Sequence, residues 1–424
     1  MKTTRTLAIA CVGRLLGALL LLSVSACQIA DMARFSYANA NATHQWTSAE
    51  RTTTVPFSLI DNHIILPVRV NGSEPLNFVL DSGAAATVII DSRATRALQL
   101  EMHGELPVSG VGTGPDPVAH IVPETDLAVG EVSLEGSSVI FLPLDSIPFF
   151  DDLDHVYFDG VIGAPFFTRF VVEIDYERRL VSFSEPGAAM ERIGSLGDDW
   201  REVPLEIDAG TPYMTAQVAA GEGLPVDVKL LVDTGARGAV SLTPATDDRL
   251  QDPLVYFPSV SDGLSGEVFN QVAMAESLSV AGYRLQHLPV SYATAGGEDE
   301  NGSNGILGNE VLQQFNLVFD YSHERLFLVP NSNFAAPIEA DRSGLQLRPH
   351  TAGGIVKRIA PDSTGQASPL QVGDIITRFD DNRVSHQNIR ELKRALASGR
   401  DSVHLCWQSG AIQRCEDLTL ASRF

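Results

Sequence analysis

The chain has 424 residues, of which 44% are hydrophobic and 20% charged, with 35 glycines and 23 prolines. This composition builds packed domains, two or three at this length, and excludes a disordered or fibrous chain. A formal charge of −23 repels nucleic acid and anionic lipid headgroups, and no basic patch in the sequence offsets it.

At the N-terminus, Lys2 and Arg5 precede an apolar run, Leu15 to Leu22, and then Val24-Ser25-Ala26-Cys27. The run is shorter than the ~20 residues a bilayer crossing needs, so residues 1–27 read as an export signal. The small residues before Cys27 resemble a bacterial lipobox. That resemblance implies lipidation of Cys27 after cleavage, with Gln28 next, and a periplasm-facing lipoprotein of the outer membrane. Cleavage removes Lys2, Arg5 and Arg14 and no acid, so the mature chain is more acidic still. Residues 28–51, rich in Ala, Asn and Ser, predict a tether.

From residue 52 the chain repeats itself. His63 to Gly72 leads through Asn77-Phe78-Val79-Leu80 to Asp81-Ser82-Gly83-Ala84. Tyr213 to Val218, then Gly221-Glu222-Gly223, lead through Lys229-Leu230-Leu231-Val232 to Asp233-Thr234-Gly235-Ala236. A single Asp-Ser-Gly or Asp-Thr-Gly is an ordinary turn sequence; the signal lies in two hairpins that each deliver an aspartate from an apolar strand. Further on, Gly160-Val161-Ile162-Gly163 is answered by Gly305-Ile306-Leu307-Gly308, and Asp175-Tyr176 by Asp320-Tyr321. The pattern predicts a mainly β fold of two similar lobes, residues 52–187 and 200–332. Helices are expected to be brief, one near Asp91 to Leu100 and one from Thr243-Pro244. Residues 187–199 join the lobes, and another break falls near 330–341.

Peptide hydrolysis without a metal or covalent intermediate needs one group to take a proton from the attacking water and another to give a proton to the substrate. Two carboxylates sharing one proton do both, because like charges in contact resist joint ionisation. Asp81 and Asp233 are the candidates. Gly83 and Gly235 let the loops turn tightly, Ser82 and Thr234 offer hydroxyls to the facing loop, and the glycine strands pass behind. The acidic segments Asp151 to His155 and Glu298 to Asn301 read as solvated turns. No zinc, phosphate-loop or serine-nucleophile motif occurs, and no metal or cofactor is expected.

These residues resemble the retropepsin-like aspartic proteases of bacteria, in two copies over roughly residues 55–330. The resemblance implies an aspartic endopeptidase with a pseudo-twofold bilobal unit of β-barrel lobes, one aspartate from each. It also implies a flap at Gly110, Gly112 and Gly114, with Gly263 to Gly266 as a weaker second flap. Thr87 fits the family pattern six residues after Asp81, whereas Ala239 stands at the matching place in the second lobe, and neither flap carries a tyrosine. Residues 340–424 change pattern, with a strand at Ile355 to Ile359, a turn and strand at Gln371 to Ile376, and an amphipathic helix from Asn388 to Ala397. They resemble a PDZ domain of the periplasmic-protease type. That implies a partner peptide, its terminal carboxylate held by the loop Ser343-Gly344-Leu345-Gln346. Cys406 and Cys415 face each other across a hairpin, either as a disulfide or as a reduced buried pair. Two functions stand open: an endopeptidase whose PDZ domain recruits or gates peptide, or an inactive peptide-binding lipoprotein on a retired protease scaffold. The short inter-lobe segment favours pairing of lobes within one chain.

Overall fold

A computed structural model describes residues 29–147, 150, 153, 156–219, 224–334 and 336–424. The segment expected as an export signal with Cys27, residues Gly221-Glu222-Gly223 and most of the 151–155 run lie outside these residues. Among the described residues no helix is long and apolar enough to cross a membrane.

Residues 29–41, expected as part of a tether, are helical. Ala30, Ala33, Ala38 and Ala40 supply the strongest helix former. The end of this helix docks on the first lobe, where the Asn39 carbonyl accepts from Arg169 and its side-chain oxygen from the Ser138 N–H. Thr43–Trp46 then pairs antiparallel with Val132–Leu142.

The two lobes repeat one plan. In the first, a nine-stranded sheet sets Leu76–Leu80 between His63–Val70 and Gly160–Ile162; in the second, an eight-stranded sheet sets Val226–Asp233 between Thr211–Ala219 and Gly305–Gly308. Both glycine strands run parallel to the aspartate-bearing strands, with Ile162 opposite Leu80 and Gly308 opposite Asp233. Alternation sorts the faces of His63–Val70: Ile64, Leu66, Val68 and Val70 enter the core, while Ile65 joins a second apolar cluster with Val79, Ile90 and Phe158.

A six-stranded sheet joins the lobes. Thr52–Pro56, Leu180–Ser184 and Val171–Asp175 come from the first lobe, and Phe315–Asp320, Arg325–Pro330 and Arg201–Pro204 from the second. The seam is antiparallel, with Val172 opposite Phe319 and Ile174 opposite Leu317. One hydrophobic core runs continuously from one lobe through this seam into the other. The lobes therefore pair within one chain. The joining segment contains a helix, Pro186–Gly194, whose Ala189 packs on Val171, Val318 and Phe327.

The expected lobe helices shrink to single 3-10 turns, Thr95–Leu98 and Pro244–Thr246. Thr243 does not cap the latter; its hydroxyl donates to the Glu298 carbonyl. The C-terminal domain has its own core, a sheet in the order Leu345–His350, Gly353–Ile359, Ile375–Phe379, Ser402–Ser409, Ile412–Thr419. Helix Ile389–Ala397 covers it with Ile389, Leu392 and Leu396. Cys406 and Cys415 stand opposite in register and form a disulfide, in a hairpin that turns at Gly410-Ala411.

Phe319 is fully buried at the seam, 5.4 Å from the Phe167 ring centroid. Phe319→Ala is expected to cost about 3–5 kcal/mol and to lower the urea midpoint of both lobes together; separate transitions for the two lobes would contradict a shared core.

Candidate active site

Asp81 follows directly on Leu76–Leu80 and anchors its N–H on the Ile162 carbonyl at 2.9 Å, while Asp233 ends its own strand. The lobes bring the two loops face to face. Ser82 and Thr234, both fully buried, interlock: the Ser82 N–H donates to Thr234 Oγ1 at 3.0 Å and the Thr234 N–H to Ser82 Oγ at 3.0 Å. Each hydroxyl then donates to the facing strand, Ser82 to the Val232 carbonyl at 2.6 Å and Thr234 to the Leu80 carbonyl at 2.8 Å. All polar groups of the interlock are thereby satisfied in a dry interior.

Above it the two carboxyl groups share a hydrogen bond. The Gly83 N–H donates to Asp81 Oδ1 at 2.8 Å, and the Gly235 and Ala236 N–H groups to Asp233 Oδ1 at 2.7 and 2.9 Å. The glycines do more than permit a turn. A Cβ on Gly83 would lie 2.7 Å from the Asp233 carboxyl carbon, and one on Gly235 would lie 2.3 Å from that of Asp81. Each glycine clears the space that the opposite carboxylate occupies.

Burial pushes both carboxyls up, Asp81 well above the usual carboxylate range because the Asp233 charge and the shared hydrogen bond add to desolvation. On Asp233 the Asp81 hydrogen bond acts the other way and favours the ionised form. Both shifts favour retention of a proton by the pair, which titrates as a unit.

Two stretches of the chain, residues 66–166 and 214–311, match the aspartyl protease family model. Each stretch contains one of the two aspartates and its glycine strand. Among solved structures, an aspartic proteinase from Irpex lacteus is 11% identical, over 67% of this chain and 98% of the other, with a TM-score of 0.39. No curated protein matches the sequence.

The aspartic-protease-like lobes enclose a cleft of about 420 Å³ over the dyad. Its first-lobe wall is apolar, with Val79, Ile90, Leu142 and Phe158. Two tips roof it. The first-lobe segment carrying Gly110, Gly112 and Gly114 is an irregular loop, whereas the second flap is the regular hairpin Phe257–Gly263 with Gly266–Val280, the reverse of the expected ranking. They bond to each other, Gly114 N–H to the Ser265 carbonyl at 2.6 Å and Ser265 N–H to the Val111 carbonyl at 3.0 Å, and the first tip is also held by Gly112 N–H to the carbonyl of Gly296, just after strand Tyr283–Ala295.

The Asp233 loop, where Ala239 stands at the place that Thr87 takes in the first lobe, is gripped from the first lobe. His63 donates through Nε2 to the Gly235 carbonyl at 2.9 Å and accepts at Nδ1 from the Tyr157 hydroxyl at 2.8 Å. Burial, then the Arg237 charge, pulls its pKa to about 3 and keeps the ring neutral. Buried Asp61 pairs with Arg237 at 2.6 Å and also with Lys393 of the C-terminal helix. Burial opposes ionisation of Asp61, but the two cations outweigh it and hold the carboxyl below its usual range.

Sequence reasoning missed Asp61, His63, Arg237, Tyr321 and Glu298. Tyr321 lies beneath the dyad with its hydroxyl buried and unpartnered, and burial with the two aspartate charges raises its pKa; the repeated Asp-Tyr pair was its only signal. Glu298, expected in a solvated turn, is buried in the cleft wall, where its carboxylate accepts from the Glu300 N–H at 3.1 Å.

The C-terminal loop expected to take a peptide carboxylate is internally bonded. The Ser343 and Gly344 N–H groups donate to the Asp341 carboxylate at 3.1 and 2.6 Å, and the Leu345 N–H to the Ser343 hydroxyl at 3.0 Å. Gln346 donates instead to Ser259 of the second flap at 3.0 Å.

Ser82→Ala would strip the Thr234 N–H of its buried acceptor, a loss of about 1–3 kcal/mol that thermal unfolding should register. Burial, then the Glu300 charge, pushes the Glu298 pKa up to about 7. The folded chain thus holds that proton more tightly than the unfolded one, and the penalty for folding grows as pH rises from 4.5, the ordinary value, to about 7, and is complete above it. Glu298→Gln is expected to raise Tm above pH 7, with the gain vanishing below about pH 4.

Proposed function

We propose that the protein is an aspartic endopeptidase. The observation that carries this reading is the pair Asp81 and Asp233, half-buried and facing each other from interlocked loops at the floor of a cleft within a single chain. The ionised carboxylate takes a proton from the attacking water, and the protonated one gives its proton to the scissile carbonyl oxygen. The interlock fixes the carboxyls, so little reorganisation is needed as charge moves. The apolar first-lobe wall suits a hydrophobic side chain of an extended peptide, and the bonded tips must part to admit it.

The C-terminal domain, PDZ-like in its strand and helix pattern, gates that entry in this reading. Arg348 and Pro349 reach the cleft, Arg348 pairs with Asp262 of the second flap, and Arg358 pairs with Asp262 at 2.7 Å and Glu267 at 2.6 Å. The export signal and Cys27 would put this enzyme in the cell envelope as a periplasm-facing lipoprotein, acting on proteins or peptides there.

Asp81→Asn and Asp233→Asn should each lower kcat for peptide cleavage by about 10²- to 10⁴-fold while leaving Tm near or above that of the wild type. Cleavage of a peptide library that is identical in wild type and both variants would sink the assignment. Arg348→Ala with Arg358→Ala is expected to raise kcat/KM for a short peptide about fivefold, the equivalent of about 1 kcal/mol of flap restraint.

A further inference from the structure

A second cavity, of about 170 Å³, lies where both lobes, the inter-domain segment and the C-terminal helix meet. Three guanidinium groups converge on it: Arg179 from the first lobe, and Arg390 and Arg394 from helix Ile389–Ala397. Among the described residues a single carboxylate lines it, Glu310, 3.7 Å from Arg390. The excess of positive charge is anomalous in a chain of net charge −23. Burial, and then repulsion from Arg394 and Arg179, pull the Arg390 pKa down to about 10 against the opposing charge of Glu310.

The inner wall also holds unused donors. Arg390 gives Nη2 to the Gln313 side-chain oxygen, which leaves Arg390 Nε and Gln313 Nε2 buried without partners. Gln313 is 6% exposed. Buried donors without acceptors are costly, and planar guanidinium forks match carboxylate and phosphate oxygens. The lining also includes the apolar side chains of Leu59, Pro337 and Ile338.

We propose that this cavity is an oxyanion site, taking a carboxylate or phosphate group whose organic remainder faces Leu59, Pro337 and Ile338. The bound anion neutralises Arg179, Arg390 and Arg394 and ties the C-terminal helix to both lobes. Lys393 on the same helix is ion-paired to Asp61, which is ion-paired to Arg237 of the second catalytic loop. Occupancy therefore stabilises the docked C-terminal domain in proportion to ligand concentration. The proposal does not rest on proteolytic activity.

The test is calorimetric and thermal titration of the full chain at constant ionic strength with inorganic phosphate, succinate, and a short peptide bearing either a free or an amidated C-terminus, with chloride as reference. At least one oxyanion probe should bind saturably and raise Tm. A response to the free but not the amidated peptide identifies a chain terminus as the source, and a response to phosphate or succinate identifies a small solute. Arg179→Ala with Arg394→Ala, both exposed at the mouth, should weaken binding at least about tenfold, or about 1.4 kcal/mol. A remote pair of the same charge, Arg69→Ala with Arg383→Ala, should leave it unchanged. Should the first pair misfold, Arg394→Gln alone is expected to weaken binding in the same direction. Absence of saturable binding by every probe, or equal loss in the remote pair, would overturn the proposal.

Discussion

The interlock of Ser82 and Thr234 is the constraint on which the rest of the structure depends. Two carboxyl groups in contact repel once both ionise, so a dyad persists only where something else holds its loops together. Here two buried hydroxyls each accept a backbone N–H from the other loop and donate to the strand behind it. The bonds are made out of water, where a broken one is expensive. They also require that the lobes face each other closely, and the inter-lobe sheet with its continuous core meets that demand.

The resulting pseudo-symmetry stops at the dyad. Each loop is backed by its own lobe, but the second is also gripped by His63 and Asp61 from across the cleft, and through Asp61 by Lys393 of the C-terminal domain. That domain touches the bilobal unit at two places, the clamp on the Asp233 loop and the second-lobe hairpin that roofs the cleft. Ion pairs at both are buried or half-buried, so undocking would expose unpaired charge at each. The bilobal unit and the third domain are thus mechanically linked rather than strung in series.

Local pattern made much of this legible. Apolar strands ending in Asp-Ser-Gly and Asp-Thr-Gly, with glycine strands at a matched offset, located both halves of the site, since hydrophobic periodicity and tight-turn chemistry are written in neighbouring residues. Residues 29–41 misled because alanine with asparagine suits both a tether and a helix, and docking through Asn39 decided between them. Glu298 misled because an acidic run reads as solvated wherever its fold places it. Asp61 and Arg237 carry no local signal at all; each is meaningful only against a partner far along the chain.

The sequence by itself determined the two aspartates, the hydroxyl and glycine beside each, the doubling of the β unit and the separate C-terminal domain, because each rests on short-range covalent order. Tertiary structure decided why the glycines are needed, since the space each one clears belongs to the opposite lobe's carboxylate. It also decided which flap is regular, which charges clamp the second loop, and that the amides of the Ser343 loop are spent on Asp341. These depend on distances between residues remote in sequence, and only the folded chain sets such distances.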